Sequence, residues 1–201
     1  MNLSKSELAE IVATRTCHDL IGNIGTLKNV LDFVETDVHI DAETKNLLND
    51  VSRVLNARQK FFRVAFGLET HAADNAELLS LCQNYVATIG TRGHNISLDL
   101  HGASNQLSKM VCLCVMIAAD VFIRGGNIEL NINKENIMVH AETEFKFNET
   151  ELAGYQMILQ HQKPKDNLSQ YAQLLYLQNI IGSDVPMKLV TSANEITFII
   201  G

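Results

Sequence analysis

At 201 residues, with 46% hydrophobic and only 19% charged side chains, the chain has the length of one large domain or two small ones and is too apolar to be disordered. A net charge of −7 argues against bulk attraction to nucleic acid or to an anionic membrane, and no apolar run approaches the roughly 18 residues of a membrane span. With no secretory pattern at its start, the sequence is expected to be soluble and cytoplasmic. Its four cysteines are Cys17, Cys82, Cys112 and Cys114. On a helix, Cys112 and Cys114 point about 200° apart, and no second Cys/His pair stands at zinc spacing, so they read as small buried hydrophobes and no metal is expected.

Ser4 and Glu7 have the spacing of a capping box, and no proline interrupts the run to Glu35, which predicts a first long helix. After a turn at 36–40, Asp41 can cap a second helix ending near Gly67. Helices joined by about five residues must lie antiparallel. Beyond Asn75, patterning predicts a helix over 76–89, a strand over 95–100 and a very apolar helix over 105–123. A hairpin of strands 127–133 and 137–143 follows Gly125-Gly126, turning at 134–136. Helical segments over 149–161 and 167–181 precede closing strands 187–192 and 195–200. This mixture predicts an α+β fold with helices on one face of a sheet.

His18 lies midway along the first helix. With it at 0°, Leu20, Ile24, Leu27, Leu31 and Val34 fall at about 200°, 240°, 180°, 220° and 160°, so the apolar stripe is opposite. Thr14, Arg15, Gly22, Gly25 and Asn29 lie within about 60° of the histidine, which should face solvent from a surface of small and polar residues. Two glycines inside a helix cost roughly 1 kcal/mol each relative to alanine, and close approach of another protein would explain them. The plain alternative is an exposed histidine among weak helix formers. A neutral imidazole is a nucleophile near pH 7, and a neighbouring carboxylate such as Asp19 can fix its tautomer or help remove its proton.

On the second helix, Leu47, Leu48, Val51, Val54, Leu55, Phe61, Phe62 and Ala65 form one stripe with Arg58 near its centre. A turn near position 38 puts Arg58 and His18 at the same height. An arginine on an apolar face needs a partner, either Asp19 or a phosphorylated His18, and a structural ion pair is an equal reading. Both helices carry more apolar surface than one hairpin can bury, which predicts a homodimer built around a four-helix bundle.

The strings Cys17-His18-Asp19-Leu20-Ile21 and Ala57-Arg58-Gln59-Lys60-Phe61-Phe62-Arg63-Val64-Ala65-Phe66-Gly67 resemble the dimerisation and phosphotransfer helices of the histidine kinase superfamily. The resemblance is closest to the ChpT-type histidine phosphotransferases. It implies a dimerisation and histidine phosphotransfer hairpin over residues 1–70, and over 71–201 an α/β sandwich resembling a kinase ATP-binding domain that no longer binds ATP. Where such a kinase has a metal-binding asparagine, this chain has Ala118-Ala119. Where it has Asp-x-Gly-x-Gly there is Glu142-Thr143-Glu144-Phe145, and in place of a glycine-rich loop there is Ser169-Gln170-Tyr171-Ala172. Without those amides and that ligand nothing cradles a triphosphate. Asn23 replaces a common proline, and Gly22 has no side chain to orient water, which argues against phosphatase activity.

The resemblance implies a phosphorelay intermediate. His18 would accept a phosphoryl group, supported by Asp19, from the receiver domain of a hybrid histidine kinase and pass it to a response regulator. The receiver would bring Mg²⁺, and this chain would bind no cofactor. The expected partner surface comprises Arg15, Gly22, Gly25, Asn29, Arg53, Lys60 and Arg63, with Arg58 structural or phosphate-neutralising. A non-catalytic dimeric adaptor for receiver domains and an autophosphorylating kinase are the alternatives. The charge divides unevenly: residues 1–70 carry 8 basic and 10 acidic groups, net −2, and residues 71–201 carry 8 and 13, net −5. From Val51 to Leu68 there are Arg53, Arg58, Lys60 and Arg63 and no acid, a stretch suited to a small acidic protein partner.

Overall fold

The computed structural model describes residues 3–36, 41–67, 74–89, 95–102, 107–122, 124–133, 136–145, 147–164, 167–182, 185–192 and 194–201. The first helix, α1 (Lys5–Thr36), opens on reciprocal capping: the Ser4 N–H donates to Glu7 Oε2 at 2.8 Å and the Glu7 N–H to Ser4 Oγ at 3.2 Å. The Asp41 carboxylate accepts the Thr44 N–H at 2.7 Å and starts α2 (Ala42–Phe66), which stops at Gly67. Of the predicted turn at 36–40, Thr36 still belongs to α1 and 37–40 lie outside the described residues, as does the expected domain boundary, within 68–73. The pairing is antiparallel, since Arg58 of α2 donates to the Asp19 carbonyl of α1, the two being about equally far from position 38.

The second part begins with α3 (Asn75–Val86), capped by Asp74. It ends three residues before the sequence suggests. There the Thr88 hydroxyl donates to the Tyr85 carbonyl at 2.7 Å, and such local side-chain bonds compete with the helical ladder. The sheet has the order β1-β2-β3-β5-β4, with β1 (Ile96–Gly102), β2 (Gly126–Ile132), β3 (Ile137–Glu142), β4 (Met187–Thr191) and β5 (Glu195–Ile200). Strands β1 and β2 are parallel because α4 (Ser108–Val121) crosses between them; the other pairs are antiparallel. Gly102 has φ +99°, and a Cβ there would stand 1.9 Å from the Ile132 carbonyl oxygen, so the end of β1 requires glycine. Helix α5 (Glu149–Leu159) and helix α6 (Ala172–Ile181) complete the fold. The predicted helix over 167–181 starts as a 3₁₀ turn, Leu168–Tyr171, set by the Asn167 side chain accepting from the Ser169 N–H.

Alternation in the strands separates the two faces of the sheet. Ile128, Leu130, Val139, Ala141, Ile196 and Phe198 are buried against the helices, while Ser97, Asp99, Met138 and Glu142 face outward. Helix α4 is apolar almost all round because it is the centre of the molecule, touching β2 and β3 on one side and α2 and α6 on the other. One continuous core joins Leu8 of α1 and Phe61, Phe62 and Ala65 of α2 to the residues behind the sheet. Phe61 stacks on Tyr85 with ring centroids 3.8 Å apart and planes 7° from parallel. The open end of the hairpin is therefore embedded in the second part of the fold.

Candidate functional site

His18 stands out from the middle of α1 with its side chain 84% exposed. Its Nδ1 faces Asp19 Oδ1 at 3.5 Å. An ionised carboxylate can only accept, so a hydrogen bond in this contact requires the proton on Nδ1, which in a neutral imidazole leaves the lone pair on Nε2. Gly22, Gly25 and Asn29 are exposed on the same helix, and a Cβ at either glycine would meet no heavy atom of this chain within 4 Å. Packing within the chain therefore gives no reason for glycine at these two positions.

Arg15 lies differently from the expectation. Expected on the open surface, it is only 13% exposed and is held within the molecule: Nε donates to Asp19 Oδ2 at 2.8 Å, Nη1 to the Gln170 carbonyl at 3.0 Å, and Nη2 to Asp120 Oδ1 at 2.8 Å. It sits at the edge of the predicted arc, where α1 meets α6 and the 3₁₀ turn. Burial disfavours the Arg15 charge, but the Asp120 and Asp19 carboxylates outweigh it and keep the guanidinium firmly protonated. Burial pushes the Asp120 carboxyl up, opposed by Arg15 and by the Tyr155 hydroxyl, which donates at 2.9 Å.

Arg58 also finds other partners than those expected. It donates to Thr88 Oγ1 at 3.1 Å, to the Thr88 carbonyl at 3.1 Å and to the backbone carbonyl of Asp19. No carboxylate is among these bonds, so it is not the ion pair the sequence suggested, and its three bonds clamp α1 and α2 to the end of α3. Arg53, Lys60 and Arg63 are exposed on α2, with Arg53 3.8 Å from Asp50.

Asp120, Tyr155, Gln173, Thr88 and Gln170 are not marked out by sequence reasoning. Asp120 carried a usable signal, being the acidic residue of an otherwise nearly apolar helix, where a charge must have a partner. Ala118 and Ala119 are buried, and the void that Ala118 shares with Phe122, Ala141, Tyr155 and Phe198 amounts to about 10 Å³, the size of a single water. Gly154 admits the ring of Tyr171, whose hydroxyl oxygen would stand 2.0 Å from a Cβ there.

Cys112 and Cys114 are fully buried, and burial pushes both thiols up, whereas Cys17 is exposed. His140 is half-buried in β3, with Nδ1 3.2 Å from Thr197 Oγ1, and groups with Glu142 and Glu195 within 4.8 Å on the outer face of the sheet. His39, His71 and His94 lie outside the described residues. Among the described residues no helix is long and apolar enough to cross a membrane.

No family model matches the chain. Over 136 residues, 66% of its length, it is 27% identical to the protein phosphotransferase ChpT of Brucella abortus (strain 2308), and the match spans 64% of that relative, just under two thirds. The fold matches that of a bacterial phosphotransferase of solved structure with a TM-score of 0.78, over 100% of this chain and 98% of the other, at 20% identity. The Acinetobacter baumannii histidine kinase AdeS aligns at a TM-score of 0.45 and 14% identity, over 91% of this chain and 95% of that one. The ChpT-type resemblance carried by the residues around His18 and Arg58 thus has a sequence match and a shared fold beside it.

Proposed function

We propose that this chain is a histidine phosphotransferase of a bacterial phosphorelay, taking a phosphoryl group onto His18 from a receiver-domain aspartate and passing it to a second receiver. The observation that carries this reading is the exposed imidazole of His18, mid-helix, with Nδ1 turned to Asp19 and Nε2 away from it. In the transfer, Nε2 attacks phosphorus in line, the Nε2–P bond forms as the P–O bond of the aspartyl phosphate breaks, and the receiver recovers its carboxylate. Asp19 holds the Nδ1 proton and offsets the positive charge that develops on the ring. Mg²⁺ belongs to the receiver in this reading, and no nucleotide takes part, in keeping with the buried alanines at 118 and 119.

The same reading makes the protein a homodimer. Ile21, Ile24 and Leu31 on α1 and Leu47 on α2 are exposed in the single chain, and a second hairpin would cover them in a four-helix bundle. Light scattering at micromolar concentration is expected to give twice the chain mass, and a monomer would end this part of the proposal. The decisive experiment incubates the protein with phosphorylated receiver domains and follows the label. His18→Gln is expected to fold and to take up none; label retained in that variant, or no uptake by the unaltered protein from any receiver, would overturn the reading.

A further inference from the structure

Two carboxylates, one on α1 and one on α4, share the guanidinium that neighbours His18. An arginine beside one carboxylate tends to grip both its oxygens with parallel N–H···O bonds. Arg15 does not do so here: its Nη2 donates to Asp120 Oδ1 at 2.8 Å and its Nη1 to the Gln170 carbonyl at 3.0 Å, so the plane of the fork is set by groups outside α1, and Nε is the donor it turns to Asp19 Oδ2. The other oxygen of Asp19 is the one that faces His18 Nδ1. Asp120 is itself immobilised, since its Oδ2 accepts from Tyr155 Oη at 2.9 Å and from the Gln173 amide, and its side chain is only 11% exposed. The charged and titratable groups around the pair are Arg15 and Asp19 on α1, Arg58 on α2, Tyr85 on α3, Asp120 on α4, and Glu151 and Tyr155 on α5.

We propose that Asp120 is a positioning residue for His18: by anchoring Nη2 toward α4 it holds the Arg15 fork turned away from a bidentate grip on Asp19, and so keeps Asp19 Oδ1 on the imidazole Nδ1–H and the Nε2 lone pair outward. The proposal rests on the reading of His18 as the phosphoacceptor. It gives the second part of the fold a task in a reaction whose nucleophile sits on the hairpin. Neutralising Asp120 weakens this anchor, the Arg15 fork turns onto both oxygens of Asp19, and His18 loses the acceptor that selects its tautomer.

The experiment uses the full-length protein labelled with ¹⁵N at histidine. Asp120→Asn is expected to lower the Nδ1–H fraction of His18, read from its ring nitrogen shifts, toward the mixture of a free imidazole. Phosphoramidate serves as donor without a receiver: the Nε2–P bond forms, the donor's P–N bond breaks, and ammonia leaves. Loss of the aligned acceptor is expected to slow this labelling about tenfold, less than the roughly hundredfold or more of full general acid–base catalysis, because the acceptor aligns the ring without being removed from the chain. In an Asp19→Asn background, Asp120→Asn is expected to change neither reading, because it acts through Asp19. Unchanged tautomer and rate in folded Asp120→Asn, or equal losses with and without Asp19, would overturn the proposal. Should Asp120→Asn fail to fold, Arg15→Lys replaces it: a single ammonium has no fork to hold two carboxylates in fixed directions, so the Nδ1–H signature is expected to be lost, and its retention would overturn the proposal. Absence of label transfer from every receiver would end the phosphotransfer reading while leaving the ring nitrogen signature to judge the positioning.

Discussion

Arg58 and His18 stand at one level of the hairpin but do different work. The Arg58 guanidinium bonds Thr88 twice and the Asp19 carbonyl once, all within the chain. Truncation leaves two part-buried carbonyls short of a charged donor, and Arg58→Ala is expected to lower unfolding stability by about 1–2 kcal/mol in urea titrations. The label taken up per folded molecule is expected to stay close to normal; a variant that keeps its stability and loses transfer would instead make Arg58 a phosphate-neutralising group. The height of this residue and its need for a partner were legible from its place on an apolar stripe. The identity of the partners was not: Thr88 matters only because α3 ends early, and Asp120 lies 105 residues from Arg15, a distance over which local patterning carries no information.

At the scale of elements, the segments with strong periodicity or clear caps were legible. The Ser4–Glu7 box, the Asp41 cap and the alternation in β2, β3 and β5 all appear where the residues place them. Deviations occur where a side chain competes for the backbone, as at Thr88 and Asn167. Helix α1 carries its own contradiction in Gly22 and Gly25, which touch nothing across 4 Å. If chain packing alone mattered, alanine would serve better at both. Gly22→Ala and Gly25→Ala are expected to raise stability by up to about 1 kcal/mol each, the helix propensity difference, measured by denaturant unfolding. Both are also expected to slow transfer between His18 and a receiver, because a methyl group at 40° or −20° from the histidine on a wheel of about 100° per residue stands in the path of an approaching backbone. More stable variants with unchanged transfer rates would make the glycines incidental.

Considered whole, the molecule carries a run of exposed cations on α2, the helix paired with the one that bears His18. Net charge is −7, yet the stretch from Val51 to Leu68 holds Arg53, Arg58, Lys60 and Arg63 without an acid, and all but Arg58 are exposed. The Arg53–Asp50 contact at 3.8 Å is between open side chains and is worth little. A receiver's phosphorylation site is a pocket of carboxylates, so in the phosphotransferase reading these three residues act on encounter more than on the bound complex, and their influence should fade with salt. At low ionic strength, the triple reversal Arg53→Glu, Lys60→Glu and Arg63→Glu is expected to lower the second-order rate of transfer by an order of magnitude or more. Near 1 M salt, where the screening length falls to about 3 Å, the rates of the variant and the unaltered protein are expected to converge. The single-turnover rate from a preformed complex is expected to change much less, since His18 and Asp19 are untouched. A low-salt rate equal to that of the unaltered protein would mean that this face is only solvated, and that the acidic partner approaches His18 from the side of Gly22, Gly25 and Asn29 alone.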